Sequence, residues 1–422
     1  MERPRLRPLE AYPIDVNGQK LLVLRDPSGV APREVPLRPE AVAILQLCDG
    51  ESTRDEICAE FKRRYPRIPL ERGQLDQLLG DLDDRLLLDS DKFRQHSAQL
   101  FADFARSPVR PAHLAGKSYP AEPDKLAAML DGFFAPPNGP GKEPAQKSAS
   151  GKLPRALIAP HIDFNRGGAA YAWAYQALAG AEELPELVVV FGTDHNGADA
   201  PFTLTRKHYE TPFGTMSTDA ELVDALVKAI EERQGEKAGA ELFYDEHHHR
   251  GEHSIEFQMV WLRYLWRERA DAVRVLPILC GSLHALIEGK NEPSHDLRIT
   301  TFLDALKRLT AGKRVLWIAG ADLAHVGPRF GDEQPLDADD RGSLERRDQA
   351  TLQAAARGDA REWFAEIARE RDVRRVCGLP PIHHLLAAAE PGAGELRAYG
   401  QCPADEAGGS LVSIASMIFP GS

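Results

Sequence analysis

The sequence has few cysteines for its length, and they do not form the short pairs that hold structural zinc. Five cysteines are spread over 422 residues, and the chain contains no Cys-x-x-Cys motif. A disulfide framework or a structural zinc module is therefore not expected. Two of the five, Cys280 and Cys377, are each followed by glycine, and both are candidates for a chemical role.

The sequence also lacks a long apolar run and a surplus of basic residues. The N-terminus is positively charged, but no apolar segment follows it, so we predict neither a secretory signal nor a membrane span and expect a cytoplasmic protein. The formal net charge is −12 at pH 7. Nucleic acids and anionic membranes attract basic surfaces, so neither is expected as a partner. Phosphate-binding loops and nucleophile elbows, recognised by their glycine spacing, do not occur in the sequence either.

The first hundred residues predict a small winged-helix-like α+β domain over residues 1–91. Asn17-Gly18 separates two strand-like segments, which is typical of a hairpin. Three short helical patterns follow, and Leu86-Leu87-Leu88 is predicted to be the closing strand. A fourth helical pattern, over residues 92–107, is interpreted as a linker, and residues 135–152 are predicted to form a flexible loop because they are rich in Pro, Gly, Lys and Ser.

Four strongly apolar segments in the rest of the chain end in residues that can do chemistry. The clearest is residues 187–191, five apolar residues that indicate a strand buried on both faces. The side chains that follow the four segments are His161, then Asp194 and His195, then Cys280, and finally Asp322 and His325. Helical patterns separate most of the strands, so residues 108–422 are predicted to form an α/β domain with a mixed, mostly parallel sheet flanked by helices. Ligands collect beyond the carboxyl ends of such strands, and we expect these side chains to share one edge.

This combination of residues suits a transition metal. Neutral imidazole and thiolate bind iron, zinc or copper, and two histidines with one anionic ligand leave positions open for substrate, water or oxygen. Cys280 follows an apolar strand, whereas Cys377 lies beside Arg374-Arg375 and precedes a helical pattern. The residues alone leave the choice between these two thiolates open.

The densest histidine cluster lies in residues 245–256. Within it, His249-x-x-Glu252-His253 matches the inverted zinc-peptidase pattern. That function requires one continuous helix from His249, and Gly251 opposes it. The other interpretation is a polar loop that leads into an amphipathic helix.

Six short motifs then appear in a fixed order. They are Ala159-Pro160-His161, Gly192-Thr193-Asp194-His195, Asp245-Glu246, Glu252-His253-Ser254-Ile255-Glu256, Asp322-Leu323-Ala324-His325-Val326-Gly327 and Cys377-Gly378-Leu379-Pro380-Pro381. In this order and spacing the chain resembles the Memo family, also called AmmeMemoRadiSam system protein B. The resemblance implies the fold of LigB-type extradiol dioxygenases, a reduced metal ion (Fe²⁺ first, copper second) and a radical SAM partner protein.

The resemblance also implies roles for single residues. The metal ligands that it implies are His161, His195 and Cys377. The residues implied to be catalytic, as acid, base or orienting groups, are His253, Asp322 and His325. The implied function is a metal-dependent oxidoreductase related to the dioxygenases, with no particular substrate. Two alternatives stay open: a non-catalytic scaffold that binds metal and a peptide, and the zinc peptidase.

The chain departs from the family pattern beside two of the implied ligands. The usual second histidine of Gly-Pro-Ser-His-His is replaced by Asn196, and the usual His-Ala-Gly-Tyr reads His161-Ile162-Asp163-Phe164. The ligands persist while their neighbours differ, so the roles of Asp163 and Asp194 stay open.

The N-terminal domain carries a second resemblance. Its hairpin, the turn from Leu47 to Thr53 and the Leu86-Leu87-Leu88 ending are similar to PqqD-like domains, which recognise peptides beside radical SAM enzymes. This resemblance implies a peptide bound at residues 1–91. The alternative for a winged helix is DNA binding, which the excess of acidic over basic residues in this region disfavours.

Overall fold

The computed structural model describes residues 2–16, 18–26, 28–31, 34–141, 152–179 and 181–421. The chain divides into two compact units, Met1–Arg106 and Ser107–Ser422. Asn17 of the predicted hairpin turn lies outside the described residues, as does most of the predicted loop 135–152. Within the described ranges, every helix is too short or too polar to cross a bilayer.

The first unit combines an antiparallel three-stranded sheet with helices. Its elements are β1 (Glu10–Val16), β2 (Gln19–Arg25), β3 (Val35–Leu37), α1 (Pro39–Leu45), α2 (Arg54–Arg64), α3 (Arg72–Asp84) and α4 (Asp91–Arg106). The strand order is β1-β2-β3. Helix α4, which covers most of the stretch interpreted as a linker, packs Phe93, Leu100 and Phe101 against the core of this unit. The identification of the unit as PqqD-like stays a prediction.

The predicted closing strand at residues 86–88 is wrong. Leu88 forms an isolated bridge with Leu6, and Leu86 has a φ of 61°. This left-handed conformation turns the chain directly after α3, so the segment does not extend as a strand. The third strand of the sheet is β3, which pairs with β2.

The second unit is built on one mixed sheet. Its strands are β4 (Val109–Arg110), β5 (Ala156–Ala159), β6 (Leu187–Thr193), β7 (Phe202–Leu204), β8 (His208–Thr211), β9 (Gly214–Thr218), β10 (Arg274–Cys280), β11 (Val315–Gly320), β12 (His325–Val326), β13 (Glu395–Pro403) and β14 (Leu411–Phe419). Its helices are α5 (Pro123–Gly132), α6 (Phe164–Tyr175), α7 (Ala220–Gln234), α8 (Glu236–Glu241), α9 (His253–Trp266), α10 (His284–Glu288), α11 (Leu297–Thr310), α12 (Ala338–Ala356), α13 (Ala360–Arg369) and α14 (Leu379–Ala389).

The centre of this sheet is parallel. Strands β5, β11, β6 and β10 are neighbours in that order, and each pairs parallel with the next. Antiparallel strands extend the sheet on both sides, with β14 beside β5 and β8 beside β9. The predicted α/β class, with a mixed sheet flanked by helices, is therefore confirmed.

Successive residues of β6 face two hydrophobic cores on opposite sides of the sheet. Val189 and Phe191 pack in the core that α7, α11 and α14 cover. Val188 and Val190 pack in the other core, with α6 and α9. Burial on both faces explains why the strand is apolar throughout rather than alternating. For function, the consequence is that the polar side chains in and after this strand lie at its carboxyl end.

Candidate metal centre

Three histidines from distant parts of the chain meet at the carboxyl edge of the sheet. His161 follows β5, His195 follows β6 and His253 is the first residue of α9. One ligand nitrogen of each lies within 4.8 Å of those of the other two. The ring centroids are 4.9, 5.2 and 4.7 Å apart. We call His161, His195 and His253 the imidazole cluster.

Close packing of α9 on β6 brings His253 to this position. A Cβ at Gly192 would lie 2.5 Å from the Ser254 Oγ and 2.6 Å from the Ile255 Cγ1, so any side chain there would push the helix away. The Ser254 hydroxyl donates to the Thr193 carbonyl oxygen at 3.0 Å. Glycine in the strand thus lets the helix start beside the strand end.

Every ring of the imidazole cluster has a partner at Nδ1. The Nδ1 of His161 lies 2.9 Å from the Gly320 carbonyl oxygen. The Nδ1 atoms of His195 and His253 each lie 3.1 Å from the Glu252 carboxylate. Burial holds the pKa of His161 well below its usual value. Burial works to lower the pKa of His195 as well, but the Glu252 carboxylate outweighs it and raises that pKa well above its usual value, so an ion bound to His195 would displace a proton. Because the Nδ1 partners only accept hydrogen bonds, each Nδ1 carries a proton and Nε2 is the atom left to face a ligand. This is the usual second-shell arrangement of metal-binding histidines.

Glu252 is the residue that organises two of the three rings. It is 2% exposed and caps α9, where its carboxylate accepts the backbone N–H groups of His253 at 2.8 Å and Ser254 at 2.9 Å. It also accepts the His195 backbone N–H at 3.1 Å. Burial works to raise the pKa of Glu252, but the neighbouring His195 and His253 outweigh it and hold that pKa well below its usual range. The carboxylate is therefore anionic.

Cys377 lies against the imidazole cluster. Its Sγ is 3.2 Å from the His161 Nε2. The turn that carries it approaches the end of β11 closely, since the Gly378 N–H donates to the Asp322 carbonyl oxygen at 3.0 Å and a Cβ at Gly378 would lie 2.2 Å from that oxygen. Burial raises the pKa of Cys377, and a hydrogen bond with His195 only partly offsets this. The metal-free thiol thus keeps its proton at neutral pH.

Cys280 lies in a different environment. It ends β10, is 1% exposed and belongs to the hydrophobic core on the α11 face. Burial raises its pKa well above the usual value. The cysteine that contacts a histidine of the cluster is Cys377.

Asp322 links the end of β11 to His161. Its Oδ1 accepts the backbone N–H groups of His161 at 2.8 Å and Ile162 at 3.2 Å, and its Oδ2 lies 3.7 Å from the His161 Nε2. Burial raises the pKa of Asp322 to about 6. This carboxyl group can therefore change protonation near neutral pH.

His325 is on β12, outside the imidazole cluster. Its Nδ1 lies 3.2 Å from the Leu323 carbonyl oxygen, and its ring packs edge-on against Phe330 with centroids 5.1 Å apart. Burial lowers the pKa of His325 to about 4, so the ring is neutral at pH 7.

The two aspartates whose roles the sequence left open have local partners. Asp163 caps α6 by accepting the Arg166 backbone N–H at 3.3 Å, and it forms an ion pair with the Arg166 side chain at 2.5 Å. Asp194 accepts a hydrogen bond from the His248 Nδ1 at 2.9 Å and from the Asn196 backbone N–H at 3.0 Å. Both carboxylates fix the chain beside the cluster.

The zinc-peptidase pattern requires one continuous helix from His249, and the structure interrupts it, so that interpretation is wrong. A 3-10 helix ends at Arg250, and α9 begins at His253 after Glu252, whose backbone is extended (φ −69°, ψ 129°). His249 is buried, with its Nδ1 2.6 Å from the Tyr209 hydroxyl and its Nε2 3.0 Å from a backbone carbonyl oxygen. The interruption at Gly251 therefore separates His249 from the other two residues of the pattern.

The side chains at this edge fit a transition metal ion. Three imidazoles and one thiol are borderline-to-soft ligands, and outer partners already orient the rings. Sequence reasoning considered Glu252 only as a peptidase residue. Its place shortly before the apolar helical pattern of residues 255–266 was the signal that it could cap a helix next to a ligand.

Comparison with known proteins identifies the family. The profile described as Memo-like protein matches residues 110–418. A MEMO1 family protein from Aquifex aeolicus is 26% identical over 423 residues, covering 99% of this chain and 100% of the relative. A relative from Thermus thermophilus is 27% identical over 349 residues (83% and 92%), and one from Ignicoccus hospitalis is 30% identical over 224 residues (52% and 70%). Since the profile matches well over half of its residues, the chain belongs to the Memo-like family.

Proposed function

We propose that this Memo-like protein binds a redox-active transition metal ion, reduced iron or copper, through His161, His195 and Cys377. The observation that supports this most strongly is the convergence of the imidazole cluster with the Cys377 thiol, with each ring oriented through its Nδ1. His253 is the third imidazole at the same point, where it can coordinate the ion or accept a proton. Such an ion, when bound, would activate oxygen or transfer electrons.

The residues around the cluster would orient the ligands and move protons. Glu252 would hold His195 and His253 in the tautomer with Nε2 unprotonated. Asp322 would exchange a proton at its Oδ2, since its pKa of about 6 lies near the working pH of most enzymes. His325, neutral beside Phe330, would line the approach to this group.

The metal site is tested by analysing protein purified without oxygen. We expect about one iron or copper ion per chain in the wild type, since the proposed ligands form one site. The triple variant His161→Ala, His195→Ala, Cys377→Ala should lose this ion. Wild-type protein that remains metal-free after incubation with Fe²⁺ and with Cu⁺ would refute the proposal, as would full metal retention by the triple variant.

Oxygen uptake separates an enzyme from a scaffold. We propose an oxidoreductase related to the dioxygenases, so the loaded protein should consume oxygen when a catechol or a peptide substrate is added. Asp322→Asn should slow this consumption without removing the metal. A metal- and peptide-binding scaffold would retain the ion and consume no oxygen with any substrate.

We also propose, from the two family resemblances alone, that a radical SAM protein is the partner and that the first unit binds a peptide. Coexpression with a radical SAM protein from the same genomic region tests the first point. Copurification of the two chains is the expected result, and a lack of any complex at micromolar concentration would argue against it.

A further inference from the structure

A second group of ligand side chains lies outside the imidazole cluster. Asp245, His247 and His248 each offer a ligand atom, and these atoms lie within 4.8 Å of one another. The His247 and His248 ring centroids are 4.5 Å apart, and the His248 Nε2 is 4.0 Å from the Asp245 Oδ1. We call these three residues the loop cluster, because they lie on and directly before the 3-10 helix Glu246–Arg250.

A buried carboxylate orients one ring of the loop cluster. The Asp194 side chain is 0% exposed, and its Oδ2 is 2.9 Å from the His248 Nδ1. The Asp194 backbone N–H is itself held by the Cys280 carbonyl oxygen at 3.0 Å. A carboxylate at Nδ1 fixes the tautomer and leaves Nε2 for a ligand, and in this ring Nε2 is the atom that faces Asp245. The buried Asp194 carboxylate, which orients His248, distinguishes this group from histidines that are only neighbours in a loop.

We propose that the loop cluster is a second metal site, which takes a divalent first-row ion such as Zn²⁺ through Asp245, His247 and His248. Ligands of a tetrahedral zinc ion lie roughly 3.4 Å apart when each is about 2.1 Å from the metal. The ligand atoms here lie within 4.8 Å of one another, so each pair would need to close by at most about 1.4 Å. All three are partly exposed, and three protein ligands leave the fourth position for water.

The two sites differ in ligand chemistry, and this makes them separable. The loop cluster offers nitrogen and oxygen only, whereas Cys377 adds sulfur to the imidazole cluster. Thiolate selects softer ions than carboxylate does. The second site does not depend on the function proposed above, because no residue of the loop cluster belongs to the first site.

Cobalt is the probe that tells the sites apart. Metal-free full-length protein is titrated with Co²⁺, and the bound ion is counted while the absorption of the cobalt–thiolate bond is recorded. The wild type should bind about two ions, in keeping with two separate ligand sets. The double variant His247→Ala, His248→Ala should bind one fewer and keep the thiolate absorption. The double variant His161→Ala, Cys377→Ala should also bind one fewer, but lose that absorption.

Two further variants keep the test decisive. Asp245→Asn removes one ligand without changing size and should weaken the same site if the double variant does not fold. The matched control His284→Ala, His295→Ala removes two histidines that lie outside both clusters and should bind as much Co²⁺ as the wild type. The proposal is overturned if the His247, His248 and Asp245 variants bind as much Co²⁺ as the wild type, or if they lose the thiolate absorption. Co²⁺ bound at the loop cluster alone would support this proposal and would show that the first site does not take Co²⁺.

Discussion

The imidazole cluster and the loop cluster are made of similar residues on very different supports. His161 and His195 follow central strands, and His253 begins a helix packed on the sheet. The loop cluster lies on and directly before a 3-10 helix in a partly exposed segment, and the Asp194 carboxylate contacts the Nδ1 of its His248. A site whose ligands are carried by packed strand ends and a packed helix is held closer to its bound geometry than a site in a partly exposed segment. We therefore expect the imidazole cluster to bind metal more tightly and with more selectivity.

One buried arginine supports residues 249–252, the segment between the two clusters. Arg110 is completely buried and donates to the carbonyl oxygens of His249 at 2.8 Å and Glu252 at 3.0 Å. Its guanidinium also pairs with the buried Glu256 carboxylate, which accepts from the Tyr119 hydroxyl as well. The segment therefore ends in a fixed position although it begins in a partly exposed loop.

The largest expected effect follows from removing this arginine. Arg110→Met should lower the free energy of unfolding of the second unit by about 3–5 kcal/mol, because it leaves the Glu256 charge buried without its partner. Urea unfolding measures the change. The control Lys125→Met breaks an exposed ion pair with Glu122 and should have a much smaller effect. Equal losses in the two variants would contradict the structural role of Arg110.

The next prediction compares Cys377 and Cys280, the two cysteines that precede glycine. Cys377→Ser should weaken Cu⁺ or Fe²⁺ binding by more than the roughly 10–100-fold typical of an outer-shell change, since it removes a proposed ligand. Cys280→Ser should leave the affinity unchanged, because Cys280 packs in the core. Binding to apo-protein under anaerobic conditions measures both. If Cys280→Ser had the larger effect, the thiolate would be assigned to the wrong residue.

The sequence predicted the strand ends much better than it predicted their surroundings. The apolar run of β6 and its stop at Gly192 are local signals, so the position of His195 follows from periodicity. The partners of His195 and His253 depend on contacts that are distant in sequence: His195 and Glu252 are 57 residues apart. Pattern reasoning cannot choose such partners, because many acidic residues satisfy the same local rules.

The three adjacent histidines show the same limit more sharply. His249 is buried against Tyr209, and His248 faces Asp194. The interpretation as a polar loop agrees with the break before α9, but the backbone of these residues forms a 3-10 helix, and the pattern did not distinguish their side chains. In a 3-10 helix, neighbouring side chains point in different directions. Which partner each side chain meets depends on the strands of the sheet that it faces. Two residues of one short run thus acquire different chemistry.

A smaller effect is expected when the shared carboxylate of the imidazole cluster is neutralised. Glu252→Gln should weaken metal binding there by roughly 10–100-fold, the usual cost of losing an outer-shell partner of a ligand. The Co²⁺ titration followed by thiolate absorption measures this site alone. Glu246→Gln, a change of the same kind in the same segment, should leave the affinity of the imidazole cluster unaltered. A wild-type affinity in Glu252→Gln would remove the proposed orienting role.

The smallest effect should come from Asp194→Asn. The amide can still accept a hydrogen bond from His248, but it lacks the charge that makes the ring a better donor to metal, so we expect about a tenfold loss at the loop cluster. Glu252 serves two rings and Asp194 only one, which is why the loss should be smaller than in Glu252→Gln. This loss is measured by counting the Co²⁺ ions that bind without adding to the thiolate absorption. A greater loss at the imidazole cluster than at the loop cluster would mean that Asp194 acts through its neighbour His195, and that the two clusters work as a single site.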